Sequence, residues 1–502
     1  MTALARALVS VAPDGTQHRI PSPAEELASY AEIAAAVEAW ERTVVVVQGL
    51  GFVGSAVCAA LAASGNHLVV GVDLPAPASY WKVAELSAGS SSTGRIDPEL
   101  VTALAEGAAG SRLFATSAEE AYGLADVVVV DVDLGLAEAG QVAMAPFEAA
   151  IRAIGRQMRE DALVVVETTV PVGAWRTVVL PALADERRRR GIERPPALAN
   201  AYERVMPGPR YLESVRAYPR SYAGLDTEGA ARTRAFLESF VSAPLRELPD
   251  LESAELGKLL ENSYRAANIA FIHEWTRLAE AIGVNLWTVT DSIRARLGTH
   301  DNIRNPGLGV GGYCLTKDSL LAQWGADELL DSGVRLESTL AALATNRLMP
   351  LHTVEHVRAL AGGELAGRTI AICGVAYLAD VPDTRNSPVE TLVRELADEG
   401  ARVRVHDPCV TRWPELPEIP VERELDEALA EVDGVVLAVP HGAYRQLGRH
   451  LLEVPVDRRP FVVDAQNLLG DAEAKALHSA GWLVSGVGKG HWRAAGYGIA
   501  CE

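Results

Sequence analysis

Cysteine is scarce in this chain of 502 residues. The five cysteines stand at positions 58, 314, 373, 409 and 501, and no two of them form a CxxC pair. This spacing excludes an obvious disulfide framework and a cysteine-based zinc site, so we expect no bound metal. The same scarcity is typical of a protein that works in a reducing cytoplasm.

Positive charge and long apolar runs are also in short supply. The chain has 46 Lys and Arg against 66 Asp and Glu, which gives a formal net charge of -20. Such a chain repels polyanions, so neither nucleic acid nor an anionic membrane is expected as a partner. No segment reaches the roughly 18 apolar residues of a membrane span, and the first residues lack the apolar core of a signal peptide. We therefore expect a soluble, cytoplasmic protein.

Short β-branched runs are what the sequence has in abundance. TVVVVQG, HLVVGVDL, ADVVVVDV and ALVVVETTV alternate with Ala-rich segments, and RTIAICGVA, ARVRVHDP, GVVLAVP and RPFVVDA repeat that alternation later. Continuous apolar strands between helices are typical of parallel α/β sheets with helices on both faces. The predicted fold class is α/β, with two doubly wound, Rossmann-like units.

A helical stretch separates the two alternating regions. Residues 251–295 show apolar positions at three- and four-residue spacing and predict one long helix. We divide the chain into an extension (1–42), a cofactor domain (43–245), a helical central domain (246–360) and a second α/β domain (361–502). The extension has no assigned role, although Ser22 and Glu25 have the spacing of a capping box.

The first strand leads into a glycine pattern, GLGFVG, in which Phe52 and Val53 lie between the second and third glycines. Gly49, Gly51 and Gly54 suit a tight turn, a close approach to a pyrophosphate and helix packing. The next strand ends at Asp73, whose carboxylate can accept hydrogen bonds from ribose hydroxyls and would repel a 2′-phosphate. This order of strand, glycines, helix, strand and acid predicts NAD rather than NADP.

A second glycine-rich segment, NPGLGVGGYC, leads directly to Cys314, with Lys317 and Asp318 close behind. A neighbouring ammonium and backbone N–H groups favour a thiolate, the form that attacks a carbonyl carbon. Cys314 is therefore the candidate nucleophile. The other four cysteines are interpreted as small apolar side chains.

Several longer motifs carry a resemblance to one family. GLGFVG, ETTVPVG, YERV, ESAELGKLLENSYRAANIAF, PGLGVGGYCLTKD, DTRNSP and VHDP occur in the order found in the UDP-glucose/GDP-mannose dehydrogenase family, which the chain resembles from Thr43 to at least Asn467. The resemblance implies an N-terminal NAD domain, a helical middle that forms a homodimer and a C-terminal domain that holds the nucleotide of the substrate.

The resemblance also implies a four-electron oxidation of a sugar C6 alcohol to a carboxylate, through a thiohemiacetal and a thioester on Cys314. By motif, Lys258 would stabilise negative charge on oxygen, Thr169 and Asp318 would position a water, and Glu203 would assist thioester hydrolysis. Asn262 lies one helical turn after Lys258, so both side chains share a helix face.

Predicted contacts follow from these assignments. We predict that the cofactor contacts Gly49, Gly51, Phe52, Val53, Gly54, Asp73, Thr169 and Arg385. We predict that the substrate contacts Glu203, Lys258, Asn262, Gly311, Lys317 and Arg385. Arg385 of DTRNSP could bind a diphosphate or reach across a dimer, with a structural salt bridge as the alternative.

The chain departs from the family pattern where substrate and cofactor bind. Leu378 replaces the usual lysine before DTR, and DVDLGL, with Asp133 and Gly135, replaces the usual Thr-Pro pair. Tyr313 before the cysteine, His273-Glu274 and Tyr202 differ as well. These differences predict altered specificity, with UDP-glucose as the first expected substrate and another UDP-, GDP- or dTDP-sugar of polysaccharide or natural-product biosynthesis as the alternative.

Two other classes of function stay open. A homologue that holds nucleotide sugar and NAD without turnover is favoured by Leu378. A two-electron NAD dehydrogenase acting on a hydroxy acid is disfavoured, because such enzymes need no thiol nucleophile.

Overall fold

The computed structural model describes residues 8–92, 97–137, 141–454 and 459–498. Its internal contacts divide the chain into two compact units. The first extends to Leu260 and includes Leu320–Arg335, and the second comprises Glu261–Ser319 and the chain from Leu336 onward. Within the described residues, no helix combines the length and the apolar composition that crossing a membrane requires.

Among its described residues, the first unit has ten strands and eight α-helices that lie wholly inside it. The strands are β1 (Val9–Val11), β2 (Gln17–Arg19), β3 (Thr43–Gln48), β4 (His67–Val72), β5 (Leu113–Thr116), β6 (Val127–Val130), β7 (Leu163–Val166), β8 (Ala197–Asn200), β9 (Arg220–Gly224) and β10 (Leu245–Glu247). The helices are α1 (Pro23–Glu38), α2 (Phe52–Ser64), α3 (Tyr80–Ser87), α4 (Pro98–Ala109), α5 (Met144–Gln157), α6 (Leu180–Arg189), α7 (Tyr211–Ala217) and α8 (Thr227–Glu238).

The main sheet of this unit has the order β10-β9-β8-β7-β6-β3-β4-β5. Strands β3 to β8 are parallel, and β9 pairs antiparallel with β8. The order reverses between β3 and β6, which is the position where open α/β sheets bind ligands at the carboxyl ends of the strands. The valines of β3 and β6 are buried on both faces, as their β-branched runs predict.

The N-terminal extension is part of the first unit. Strands β1 and β2 pair antiparallel, and the capping box predicted at Ser22 and Glu25 is confirmed at the start of α1. The hydroxyl of the fully buried Ser10 donates to the carbonyl of Pro77 at 2.8 Å and accepts from the amide of Trp81 at 3.0 Å. The extension therefore supports the segment that follows β4.

Helix α9 (Leu251–Ala281) runs from the first unit into the second, and the predicted helix to residue 295 proves too long. Gly283 has a φ of +75°, a left-handed conformation that ends a helix readily. A new helix, α10 (Leu286–Arg294), then begins under the side-chain cap of Asn285. A positive-φ glycine followed by an asparagine cap was the sequence signal for this break.

Among the residues of the second unit that the structure describes there are six strands, and α10 is the first helix that lies wholly inside this unit. The strands are β11 (Thr369–Cys373), β12 (Arg402–His406), β13 (Val421–Glu422), β14 (Gly434–Leu437), β15 (Phe461–Asp464) and β16 (Leu483–Gly486). After α10 come α11 (Cys314–Trp324), α12 (Glu337–Leu360), α13 (Pro388–Asp398), α14 (Leu425–Leu429), α15 (Leu447–Glu453), α16 (Asp471–Ser479) and α17 (Gly490–Ala494).

The sheet of the second unit is all parallel, in the order β13-β12-β11-β14-β15-β16. Counted from its first strand, this is the same 3-2-1-4-5-6 order as β5-β4-β3-β6-β7-β8 of the first unit. The predicted α/β class with two Rossmann-like sheets is confirmed. Short strands such as β8, β13 and β16 were not predicted, because their sequences lack continuous β-branched runs.

Candidate active site

The turn between β3 and α2 has the features of a pyrophosphate site. Gly49 has a φ of +92°, and a Cβ added at Gly54 would lie 1.8 Å from the Gly49 carbonyl oxygen. A Cβ at Gly51 would instead meet no atom within 4 Å. Gly51 is the N-cap of α2, so no side chain competes for the amide groups at this helix start. The open approach and the uncapped helix start fit an anionic group.

Phe52 and Val53 form the first turn of α2 and are half-buried against the core of the first unit. Asp73 follows β4, as predicted, and its carboxylate accepts from the amide of Leu50 at 2.9 Å. Lys82 lies 3.2 Å from the same carboxylate oxygen. This lysine, on α3, was missed because nothing in the sequence indicates that α3 folds back toward the end of β4.

A further acid lies beside the glycine turn. Asp131 follows β6, and its carbonyl oxygen would lie 2.6 Å from a Cβ at Gly49. Burial, followed by the charges of Glu167 and Glu203, raises the pKa of Asp131 well above its usual value. Asp133, by contrast, is exposed. Within DVDLGL, therefore, Asp131 lies beside the turn.

Glu167 follows β7 and forms a fully buried ion pair with Arg220 of β9 at 2.6 Å. Burial raises the pKa of Glu167, although the Arg220 guanidinium opposes that shift. Sequence reasoning missed this pair and Asp131. The signal was an acid directly after each run of valines, VVVVD and VVVE, since a charged side chain is rarely buried without a partner or a function.

Glu203 and Lys258 lie together in the first unit. The Lys258 ammonium donates to the Glu203 carbonyl oxygen at 2.5 Å and lies 3.3 Å from its carboxylate, and both residues are buried. Thr169 is half-buried in the turn after β7. Its neighbour Thr168 donates to the carbonyls of Val130 and Val132, which ties this turn to the end of β6.

The second unit brings together Asn262, Lys317 and Asp318. The Asn262 amide donates to the Asp318 carboxylate at 2.6 Å, and the Lys317 ammonium lies 3.3 Å from the other carboxylate oxygen. Lys317 and Asp318 are buried. The hydroxyls of Ser263 and Ser319 form a further hydrogen bond of 3.0 Å between the same two helices. Helix α9 therefore holds the start of α11 through side chains.

Cys314 is the first residue of α11 and is half-buried. The preceding glycines leave no room for side chains. A Cβ at Gly311 would lie 2.7 Å from Tyr377, and Gly312, with a φ of +80°, lies equally close to the ring of that tyrosine. Burial raises the pKa of Tyr377 to about 12, so its phenol is neutral. The position of the thiol at a helix start favours its thiolate.

Two cations lie against the ring of Tyr313. The Lys317 ammonium is 4.4 Å and the Arg385 guanidinium 5.7 Å from the ring centroid. Arg385 also forms an ion pair with Asp383 at 2.8 Å and is partly exposed. The ion pair fits the structural alternative for Arg385, and the exposed part of the side chain leaves room for an anionic ligand. Leu378, in the loop after β11, is 38% exposed.

Cys58 and Cys373 are fully buried in the two cores, in agreement with their interpretation as apolar side chains. Burial raises the pKa of Cys373 to about 12. Cys409 departs from that interpretation, because it is half-buried and its sulfur lies 4.0 Å from Nδ1 of His441. Cys501 lies outside the described residues.

The open glycine turn at the switch point of a Rossmann-order sheet, followed by a carboxylate on the next strand, defines the class of NAD-dependent dehydrogenases. Comparison with known proteins gives the family. Three sequence models of the UDP-glucose/GDP-mannose dehydrogenase family match the chain: its NAD binding domain at residues 43–233, its central domain at 252–347 and its UDP binding domain at 371–471. The chain belongs to this family, and NAD is its cofactor.

Individual relatives agree with this assignment. The chain is 28% identical over 430 residues to UDP-N-acetyl-D-mannosamine dehydrogenase of Methanocaldococcus jannaschii, covering 84% of this chain and 92% of that protein. It is 30% identical over 434 residues to NDP-N-acetyl-D-galactosaminuronic acid dehydrogenase of Ralstonia solanacearum, covering 84% and 97%. The solved UDP-D-ManNAc dehydrogenase of Pyrococcus horikoshii matches with a TM-score of 0.77 at 26% identity, over 89% of this chain and all of that one.

Proposed function

We propose that this nucleotide-sugar dehydrogenase oxidises the C6 alcohol of a UDP-linked N-acetylhexosamine to the carboxylate, with Cys314 as nucleophile. The observation that carries the proposal is the placement of Cys314 at the start of α11, held by Asn262 and Asp318 and preceded by a glycine loop that excludes side chains. The family assignment supports the four-electron reaction, and NAD held at the glycine turn by Gly49, Gly51 and Asp73 would supply the hydride acceptor for both oxidations.

In the first oxidation, the C6 hydroxyl loses its proton while the carbon is oxidised to an aldehyde. We assign stabilisation of the developing oxygen charge to Lys258, whose ammonium is buried and therefore strong as an electrostatic group. Thr169 and Asp318 would position the water that carries the proton away. The hydrogen bond from Asn262 keeps one Asp318 oxygen occupied, which orients the carboxylate.

In the second half of the reaction, the Cys314 thiolate adds to the aldehyde carbon and forms a carbon–sulfur bond. Oxidation of this thiohemiacetal gives a thioester, and water then cleaves the carbon–sulfur bond and returns the thiol. Glu203 would accept a proton from the water as a general base, and its carboxylate lies 3.3 Å from the Lys258 ammonium.

The substrate class rests on two observations. The relatives named above act, by their names, on N-acetylated amino sugars, which favours such a sugar over the UDP-glucose that the motifs first suggested. Lys317 and Arg385 share the ring of Tyr313, so an anionic diphosphate would find two cations there. We assign residues 43–245 to the cofactor, 246–360 to the nucleophile and the dimer, and 361–502 to the nucleotide.

The dimer is supported by an apolar row on α9. On α9, Tyr264, Phe271, Trp275 and Leu278 are 48–54% exposed and recur at helical spacing, and Ile282, directly after the helix, is 65% exposed. Exposed apolar patches of this kind mark protein interfaces. We expect light scattering to give the mass of two chains, and Trp275→Glu to give one. A monomeric wild type would refute the dimer.

The substrate test is direct. The purified chain is incubated with NAD and a panel of UDP-N-acetylhexosamines, UDP-glucose, GDP-mannose and a dTDP-sugar, and NADH and product mass are followed. We expect two NADH for each UDP-N-acetylhexosamine oxidised and a carboxylate product. A preference for UDP-glucose would overturn the substrate class, and no NADH from any sugar would support the alternative of a binding homologue, for which Leu378 is the observation in favour.

Cys314→Ser tests the nucleophile, with Cys409→Ser as the matched thiol control. We expect Cys314→Ser to lose carboxylate formation, with at most one NADH per sugar, because the aldehyde can no longer be captured as a thiohemiacetal. Cys409→Ser should retain the full stoichiometry. Retention of two NADH per sugar by Cys314→Ser would exclude the covalent route.

A further inference from the structure

Three side chains of the second unit that could bind a metal ion face one another. None of them belongs to the proposed active site. Glu280 lies in the last turn of α9, and His352 and His356 lie on α12. The Glu280 Oε2 atom is 2.8 Å from Nε2 of His352 and 3.1 Å from Nε2 of His356, and the two Nε2 atoms are 3.3 Å apart. Three donor atoms therefore face one another.

The sequence explains why the two imidazoles meet. His352 and His356 are four residues apart on a helix, so both rings leave the same face, one turn apart. All three side chains are about nine-tenths buried, which removes them from bulk water. Buried histidine pairs beside a carboxylate are typical ligand sets for divalent transition metals.

The far sides of all three groups are held by other residues. Nδ1 of His352 lies 3.1 Å from the Glu355 carboxylate, and Nδ1 of His356 lies 2.7 Å from the Ser485 hydroxyl. The second Glu280 oxygen accepts from the amide of Gly488 at 2.6 Å. Metal-binding histidines commonly bond a carboxylate or other polar group through the second nitrogen, which aims the first at the ion. This arrangement is present for both histidines.

A second cluster, formed by Asp380, Cys409 and His441, also contains ligand-type atoms. There, however, Nδ1 of His441 accepts from the amide of Asp380 at 2.9 Å, and Nε2 lies 3.1 Å from Asp407. Both His441 nitrogens therefore face groups that are not ligands of that cluster, whereas Nε2 of His352 and Nε2 of His356 face the Glu280 carboxylate, which is itself a ligand. The cluster of Glu280, His352 and His356 is the better ligand set.

We propose that Glu280, His352 and His356 bind one divalent transition-metal ion of the zinc class, with a solvent molecule as fourth ligand. Tetrahedral coordination at zinc–nitrogen distances of about 2.0–2.1 Å places donor atoms about 3.3 Å apart. The observed separations of 2.8–3.3 Å need to open by half an ångström or less. The bound ion would tie α9 to α12 and, through Ser485 and Gly488, to the end of β16, so it would stabilise the second unit.

The test uses the full-length protein after treatment with a chelator, with Co²⁺ alone as the optical probe and Zn²⁺ as competitor. We expect one Co²⁺ per chain with a tetrahedral visible spectrum, displaced by Zn²⁺, and a higher melting temperature with Zn²⁺. His352→Gln, His356→Gln and Glu280→Gln should each lose the bound ion. Glu355→Gln should bind about 10- to 100-fold more weakly, as expected for an orienting partner.

His300→Gln, which changes an exposed histidine outside the cluster, is the matched control and should bind Co²⁺ as the wild type does. No Co²⁺ binding by the wild type, or full binding by His352→Gln, would overturn the proposal. A thiolate charge-transfer band would place the ion at a cysteine and overturn it as well. Should the ligand variants fail to fold, anomalous diffraction from Zn²⁺-soaked wild-type crystals decides, since the peak must lie between the three side chains.

Discussion

The two sheets share one strand order, yet only the first has an open helix start at its central turn. In the first unit, Gly49 turns the chain directly into α2, and Gly51 leaves the helix start without a side-chain cap. In the second, Gly374 turns the chain with a similar φ of +97°, but a loop follows, and Ser387 caps the next helix. The same β-sheet frame therefore holds a dinucleotide only where the helix start is available.

The acids that follow the second strand of each sheet also differ between the two units, in their burial and in their partners. Asp73 and Asp407 both follow the second strand of their sheet, and both accept backbone amides of the glycine turn. Asp407 is fully buried and lies 3.1 Å from His441, while Asp73 keeps a contact with the partly exposed Lys82. The Asp407 carboxylate is fully buried beside His441, whereas the Asp73 side chain is 10% exposed and its neighbour Lys82 is 24% exposed.

Asp407→Asn should have the largest effect on this comparison. The pKa of Asp407 is lowered, because hydrogen bonds and the charge of His441 outweigh burial. Removing one partner of a buried pair costs about 3–5 kcal/mol. We expect a large fall in the melting temperature of the second unit at neutral pH. The stabilisation is present above the unfolded pKa and is lost as pH falls through the folded one, so the variant should approach the wild type in acid.

Asp131→Asn should raise stability at neutral pH, whereas Asp407→Asn should lower it. The pKa of Asp131 is raised by burial, so the folded state favours the protonated acid and stability falls as pH rises from the unfolded pKa toward the folded one. The asparagine amide has the same shape but does not ionise, so the variant does not lose this stability as pH rises. We expect the variant to be more stable than the wild type at neutral pH and equal to it in acid, measured by thermal unfolding across pH. A destabilised variant at neutral pH would contradict the raised pKa.

Gly51→Val tests the open helix start. A Cβ at Gly51 meets no atom within 4 Å and its φ of -71° suits any residue, so the fold should tolerate the change. The added side chain would fill the approach of the pyrophosphate. We expect NAD affinity, measured by titration calorimetry, to fall roughly 10- to 100-fold, equivalent to an overpacking cost of about 1–3 kcal/mol. An unchanged melting temperature separates this effect from misfolding, and unchanged affinity would place the cofactor elsewhere.

Asp73→Asn should have the smallest effect. The amide removes the charge that repels a 2′-phosphate, and Lys82 stays beside it. We expect the ratio of kcat/KM for NADP over NAD to rise by about tenfold, which corresponds to about 1.4 kcal/mol. Adding Lys82→Ala to Asp73→Asn should lower this ratio again, to near the value of the wild type. A ratio unaffected by either change would remove Asp73 from the cofactor site.

Regular features of the chain were predictable. Continuous valine runs identified β3, β4, β6 and β7, and the glycine spacing identified the turn before α2, because these patterns depend only on neighbouring residues. Cys314 was found by its glycine loop and the family motifs. The Glu203–Lys258 contact joins residues 55 positions apart, and no local pattern predicted it.

The cluster of Glu280, His352 and His356 also depends on a contact between residues that are far apart in the sequence. His352 and His356 were not predicted as metal ligands, because only the cysteines were considered for such a site, although the four-residue spacing of these histidines is visible in the sequence. Glu280 could not be added to them from spacing, since α9 and α12 meet only through packing within the second unit. The helix break at Gly283 was likewise not predicted, because it depends on the left-handed conformation of a single glycine.

The sequence by itself determined the α/β class, the family, NAD and the candidate nucleophile, because each depends on short motifs whose geometry is local. Only the tertiary structure decided which acid lies beside the glycine turn, which of the two Rossmann-order sheets keeps its helix start open, and which distant side chains meet at Glu280. Burial and long-range contacts set the charge state and the partners of a side chain, and both arise from packing between elements that lie far apart in the chain.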